Sequence, residues 1–216
     1  MRDRAMGVLF ILSGLCFVAG VINPPLLSTW GESVPEALRT ASAHRTAWFL
    51  STWLIALSVV AGIAAVELLV RSLDTDTARV GRSLYLVGGG LALASTIWDL
   101  SVTSTLLGTA RLPAWYLGAG HWAAGLGTAF FALLGPAALV CFGVPIIATR
   151  RLPPWTGVVL LIAAGILFGQ FALFRGALPF PQFLAFIALG ITALMHPPTP
   201  ASPAPGPGSP QLAARD

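Results

Sequence analysis

The chain has 216 residues, of which 56% are hydrophobic and 9% charged, against about 45–50% and about 25% in an ordinary soluble domain. So few charges cannot cover a water-facing surface of that size, and the mean hydropathy of +0.83 agrees. The net charge of +4 comes from twelve basic residues, all arginine, scattered singly or in pairs between apolar runs; that excludes the basic patch on a polar domain that a nucleic-acid binder shows.

Residues 5–31, 46–66, 112–149 and 152–174 contain no Asp, Glu or Arg, and each run approaches or exceeds the roughly 20 apolar residues that carry a helix across a bilayer. Runs such as Val158-Val159-Leu160-Leu161-Ile162 lack the alternation of a membrane barrel strand. Helices are then the solution that satisfies the backbone within lipid. The expected fold class is an all-α integral membrane protein with six spans, at about 5–22, 46–70, 83–107, 118–147, 155–174 and 178–194. Residues 1–196 form the membrane domain and 197–216 a tail.

The first span follows a basic start, Arg2-Asp3-Arg4, as a signal peptide would. The best small-residue cleavage triplet, Ala41-Ser42-Ala43, lies about twenty residues beyond the apolar stretch, so the span is read as a retained helix. In the connection that follows, Ser33-Val34-Pro35-Glu36 has the pattern of a capping box with proline in the first turn. A short helix from about Val34 to His44 leading into span two is one reading, and a plain surface loop the other.

Near the end of span two, Glu67 precedes Arg71 by four residues and is expected to pair with it. Span three carries Asp99, sixteen residues past Ser83 and therefore about 24 Å along that helix. Gly88, Ala92, Ser95, Thr96, Asp99 and Thr103 share its face at helical spacing. Span two has a comparable stripe of His44, Trp48, Ser51, Ser58 and Gly62, and span four one of His121, Gly125, Thr128, Ala132 and Gly135. Pro136 removes a hydrogen bond to Ala132 and is expected to kink span four. Arg175 stands in the turn before span six, followed by Pro179, Pro181 and Gln182. The tail from Pro197 is rich in proline and glycine, has nothing apolar to bury, and is expected to be disordered.

With the N-terminus inside, eight arginines (Arg2, Arg4, Arg71, Arg79, Arg82, Arg150, Arg151, Arg215) face the cytoplasm and four (Arg39, Arg45, Arg111, Arg175) the outside. That asymmetry places both termini in the cytoplasm. The exclusive use of arginine, with many Ala, Gly and Pro, suggests a bacterial genome rich in GC, and the location expected is the cytoplasmic membrane.

An ionisable group inside a bilayer is costly and usually faces the protein interior. Asp99, His44 and His121, with Ser95, Thr96 and Arg175, are accordingly the candidate ligand-binding residues of an outward-facing pocket edged by Trp30, Trp48, Trp98, Trp115 and Trp122. The bland alternative is equally physical: small faces are what helix packing in membranes requires, and tryptophan gathers at interfaces as an anchor. Two histidines and an aspartate match the ligand number of a catalytic zinc, but no spacing motif supports one. Cys16 and Cys141 fall inside spans and read as core residues. No metal, cofactor or phosphate-loop motif is present, nor an enzyme signature.

The opening 5–14 (Ala-Met-Gly-Val-Leu-Phe-Ile-Leu-Ser-Gly), Ala78-Arg79-Val80-Gly81-Arg82, and 151–157 (Arg-Leu-Pro-Pro-Trp-Thr-Gly) resemble a loose class of small bacterial six-helix membrane proteins, domains of unknown function. The resemblance covers about residues 5–195 and implies the architecture without an activity. Three functions fit: binding or transport of a small or lipophilic ligand through the outward pocket, an accessory or structural subunit of a membrane complex, and, ranked last, a membrane enzyme using Asp99 and His121 in proton transfer. The expected partners are the lipid bilayer, a small-molecule ligand, and a membrane-protein partner or second copy of the chain; nucleic acid is not among them.

Overall fold

The computed structural model describes residues 2–23, 33–109, 111–176 and 178–196. These fold into helices α1 (Arg2–Ile22), α2 (Val34–Ala43), α3 (Arg45–Leu73), α4 (Asp76–Leu106), α5 (Ala114–Thr149), α6 (Pro154–Phe174) and α7 (Phe180–Met195), with no strand among the described residues. Five of them, α1, α3, α4, α5 and α6, are long and apolar enough to cross a membrane, and α7 is a shorter apolar helix. The molecule is therefore an all-helical, multi-pass membrane protein. Its outward faces carry Trp53, Ile97, Trp122, Leu173 and Phe174, all more than 60% exposed, a surface suited to lipid and costly in water. The tail 197–216, Trp30 and the residues after Asn23 lie outside the described residues.

Helix α1 is held by α3 on one side and α7 on the other. Against α7 it runs antiparallel: Phe17 stacks on Phe183 at 3.9 Å, Phe10 meets Phe186 edge-on at 4.9 Å, and Gly7 lies against Gly190. A Cβ on Gly7 would come within 2.8 Å of the Gly190 carbonyl oxygen, so the backbones touch there. The same device joins α5 to α6, where a Cβ on Gly143 would stand 2.8 Å from the Gly157 carbonyl. Lipid tails give no hydrophobic drive to helix association, so close backbone packing takes its place.

Three helices end in a left-handed residue, at Asp74, Arg150 and Arg175. Each N–H closes on the carbonyl four residues back, satisfying an end group that lipid could not. Helix α4 begins at Asp76, seven residues before the expected start of the third span. Thr75 caps it by accepting from the Ala78 amide at 3.2 Å, and Arg79 bridges Asp74 and Asp76. The hydropathy drop near Ser83 marks where the helix leaves the apolar layer, and the helix itself continues. Glu67 pairs with Arg82 of α4 at 2.5 Å. The expected partner Arg71 is exposed, because the two-residue turn between α3 and α4 brings Arg82 beside Glu67.

Two π-turns interrupt the long helices, at Asp99–Thr103 in α4 and Phe130–Leu134 in α5. The second precedes Pro136. Since proline offers no N–H and its ring crowds the carbonyl four residues back, the wider turn, with Gly135 N–H donating to Phe130 O, absorbs the strain expected as a kink. The extra residue rotates everything on its N-terminal side relative to the rest. This corrects the span-four stripe: Ala132 and Gly135 are buried, whereas His121, Gly125 and Thr128 are exposed.

Candidate functional site

The end of the bundle that carries α2 gathers most of the chemistry. Asp99 opens the π-turn of α4, about 10 Å below that helix's end at 1.5 Å per residue. It shares a face with the buried Gly81, Tyr85, Gly88, Ala92 and Thr96 but is itself partly accessible. The Thr103 hydroxyl donates to Asp99 Oδ1 at 3.1 Å, and the Tyr116 hydroxyl of α5 donates to Thr103 Oγ1 at 2.9 Å. Thr103 and Tyr116 are both buried. A chain of two hydrogen bonds thus runs from one helix to a carboxylate on the next.

Aromatic rings form the wall of this place. The Tyr116 ring lies nearly parallel to Trp98 at 6.2 Å, and Trp115 stands at right angles to both. Helix α2 lies over the end, burying Leu38 and Ala41 against Trp48, Leu107 and Tyr116. Its start is fixed by Glu36, whose carboxylate accepts from the Ser33 hydroxyl at 2.6 Å and the Ser33 amide at 3.2 Å. These two bonds, the hydroxyl's first, hold the Glu36 carboxyl below the usual carboxylate range. The capping pattern in the sequence therefore does start a helix. Ser42 ties its other end to the α4–α5 connection by accepting from the Gly108 amide at 2.9 Å.

The first half of α5 packs thinly. From Ala114 to Ala129 only Tyr116, Ala123 and Gly127 are buried, and a Cβ added at Gly118 or Gly125 would meet nothing within 4 Å. This segment leans chiefly on α4. At Gly120 an added Cβ would meet only the Tyr116 ring, at 3.9 Å.

The remaining candidates divide. Ser95 is half-buried and faces Gly127 across the α4–α5 contact, while Thr96 is buried and donates to the Ala92 carbonyl at 2.8 Å, so both sit in the packed seam below Asp99. His44 stands exposed between α2 and α3, and His121 is exposed on the side of α5 turned from its buried residues. Neither histidine has a side-chain hydrogen bond to Asp99 among the described residues. Arg175 is exposed and serves as the left-handed cap of α6. Among the described residues no three His, Cys, Asp or Glu stand together as a metal site would require.

A second polar cluster, in the middle of the bundle, is absent from the sequence reading. Tyr85 and Gln182 are fully buried, and neither the Tyr85 hydroxyl nor either Gln182 amide atom has a hydrogen-bond partner among the described residues. The Tyr85 hydroxyl lies 2.5 Å and Ser13 Oγ 3.0 Å from where a Cβ on Gly62 would be, and Gln182 Oε1 lies 2.5 Å from that of Gly135. Ser13 in turn donates to the Ser58 carbonyl at 2.7 Å. One available signal was Gln182 itself, an amide inside an otherwise apolar helix.

No protein-family model matches the chain, and no curated protein or solved structure is similar to it.

Proposed function

We propose that the protein crosses the cytoplasmic membrane six times with both termini inside, and binds or transports a small or lipophilic ligand through an outward-opening crevice at Asp99. The sixth span is α7. Its 16 residues reach about 24 Å, and its pairing with α1, from Phe180 beside Phe17 to Gly190 beside Gly7, carries it to the end at which α1 begins. The arginine asymmetry supports the orientation, which puts α2 and the Asp99 crevice outside.

The observation that carries the reading is Asp99: a carboxylate within a spanning helix, at a π-turn, held by Thr103 and Tyr116 and left partly accessible. Such a group is expensive in a membrane, and π-turns recur at functional sites. The test is a thermal-shift screen of the purified full chain. A ligand at about one hundred times its Kd adds about 2.7 kcal/mol of stability to wild type, and Asp99→Leu should insert normally but lose that stabilisation. If every stabilising compound acts equally on both proteins, the crevice reading fails and the polar face is a packing device of a structural subunit. Reporter fusions after Arg82 and Arg111 read the orientation in the same strains.

A further inference from the structure

We propose that the ligand of the Asp99 crevice is a lipophilic organic cation, a quaternary or protonated amine whose charge meets the carboxylate and whose body lies against Trp98 and Trp115; this rests on the ligand-binding reading above.

The first support is charge. Asp99 Oδ1 takes the Thr103 hydroxyl and Oδ2 has no donor among the described residues. No ion pair reaches it among the described residues, where Arg39 donates to the Pro35 carbonyl and Arg45 lies over the Phe49 ring at 5.9 Å. A carboxylate at membrane depth without a cation is a large uncompensated cost. A cationic ligand offsets it, a neutral one does not, and an anion adds to it.

The second support is what surrounds the charge. An inorganic divalent ion takes six or more oxygens in the case of calcium, or near-octahedral oxygen ligation in the case of magnesium. Among the described residues Asp99 takes one hydrogen bond, from the Thr103 hydroxyl, which in turn accepts from Tyr116. Indole and phenol faces instead attract organic cations within about 6 Å of the ring. Trp98 is partly exposed and stacks on Tyr116, whose hydroxyl leads through Thr103 to the carboxylate, and Trp115 stands edge-on to Trp98 at the rim, 57% exposed.

The third support is access. Asp99 and Trp98 are partly accessible, and the exposed Trp115, edge-on to Trp98 at 6.4 Å, gives the approach an apolar rim. A ligand with a greasy body can arrive along that surface, whereas a strongly hydrated one is held back.

The experiment uses the full chain in detergent with tetraphenylphosphonium and tetraphenylborate, a pair alike in size and opposite in charge, plus benzyltrimethylammonium and tetramethylammonium as smaller cations. Tryptophan quenching and equilibrium dialysis report binding. At least one cation should bind wild type, with tetraphenylborate at least tenfold weaker, and Asp99→Asn should lower cation affinity at least tenfold. Trp98→Leu should weaken it as well, and Trp53→Leu, on the outward face of α3, should leave it unchanged. Should Asp99→Asn not accumulate, Tyr116→Phe and Trp98→Leu carry the comparison. Failure of all three cations to bind, or equal binding of tetraphenylborate, overturns the cation assignment. Stabilisation by a neutral lipophile that depends on Asp99 would then still support the crevice, and its absence would sink both.

Discussion

The two halves of α5 are both apolar and are used in opposite ways. From Gly135 to Thr149 eight of fifteen residues are buried, and the helix is pressed against α4 and α6. From Ala114 to Ala129 three of sixteen are buried, and the helix leans chiefly on α4. The π-turn at Phe130–Leu134 lies between them. Hydropathy measures compatibility with lipid, and it says nothing about whether the neighbour of an apolar face is lipid or protein. The half that is poorly seated is the half that supplies Tyr116 to Asp99.

The sharpest way to break this comparison is a pair of identical substitutions. Gly143→Val, in the seated half, drives a side chain into the Gly157 carbonyl and should cost about 3 kcal/mol, the upper range for overpacking. Gly125→Val, where a Cβ meets nothing within 4 Å, should change thermal stability by no more than about 0.5 kcal/mol. Equal losses in a detergent melting series would show that the first half is as tightly held as the second.

A smaller effect of opposite sign is expected at the buried cluster beneath. Tyr85→Phe removes a hydroxyl that has no partner among the described residues, and should raise stability by about 1 kcal/mol, the low end of the cost of an unsatisfied buried group. A drop of that size would instead show that the hydroxyl is satisfied in the membrane and holds α4 to its neighbours.

The smallest effect concerns α2, the cover over the α5 half that is loosely held. Because the Glu36 carboxyl ionises below the usual glutamate value in the folded chain, its support of α2 is present above that usual value. It is lost as pH falls through the lowered one. Amide exchange within Val34–Ala43 should therefore quicken, after correction for its intrinsic pH dependence, on acidification to about pH 3. In Glu36→Gln the acceleration should be absent.

Much of this architecture is legible in the sequence, for reasons that also set the limits. Long runs without charge located four of the five helices long enough to cross a membrane, because a charge is what lipid tolerates least. Ser33 and Glu36 marked the start of α2, because a capping pair is local. Helix ends beyond the apolar layer were not legible: α4 continues from Tyr85 back to Asp76 through Arg82 and Arg79, which a hydropathy boundary reads as loop. The face of His121 was misread because a regular 3.6-residue period was carried through a π-turn that adds a residue. The cluster of Tyr85 and Gln182 was not legible because it arises from α4, α5 and α7 meeting, a long-range contact with no trace in local spacing. Thr103 and Tyr116 show the same limit: Thr103 was on the stripe with Asp99, but the tyrosine that completes the chain comes from the next helix.

The glycine contact between Gly7 and Gly190 has a bearing on how the chain is made. Helix α1 leaves the ribosome before α7 does, so until α7 is made the Gly7–Gly14 face of α1 is turned to lipid or to whatever assists insertion. Closure of the α1–α7 seam is then a late event relative to the insertion of α1. A chain halted before α7 would leave that face of α1 without its partner.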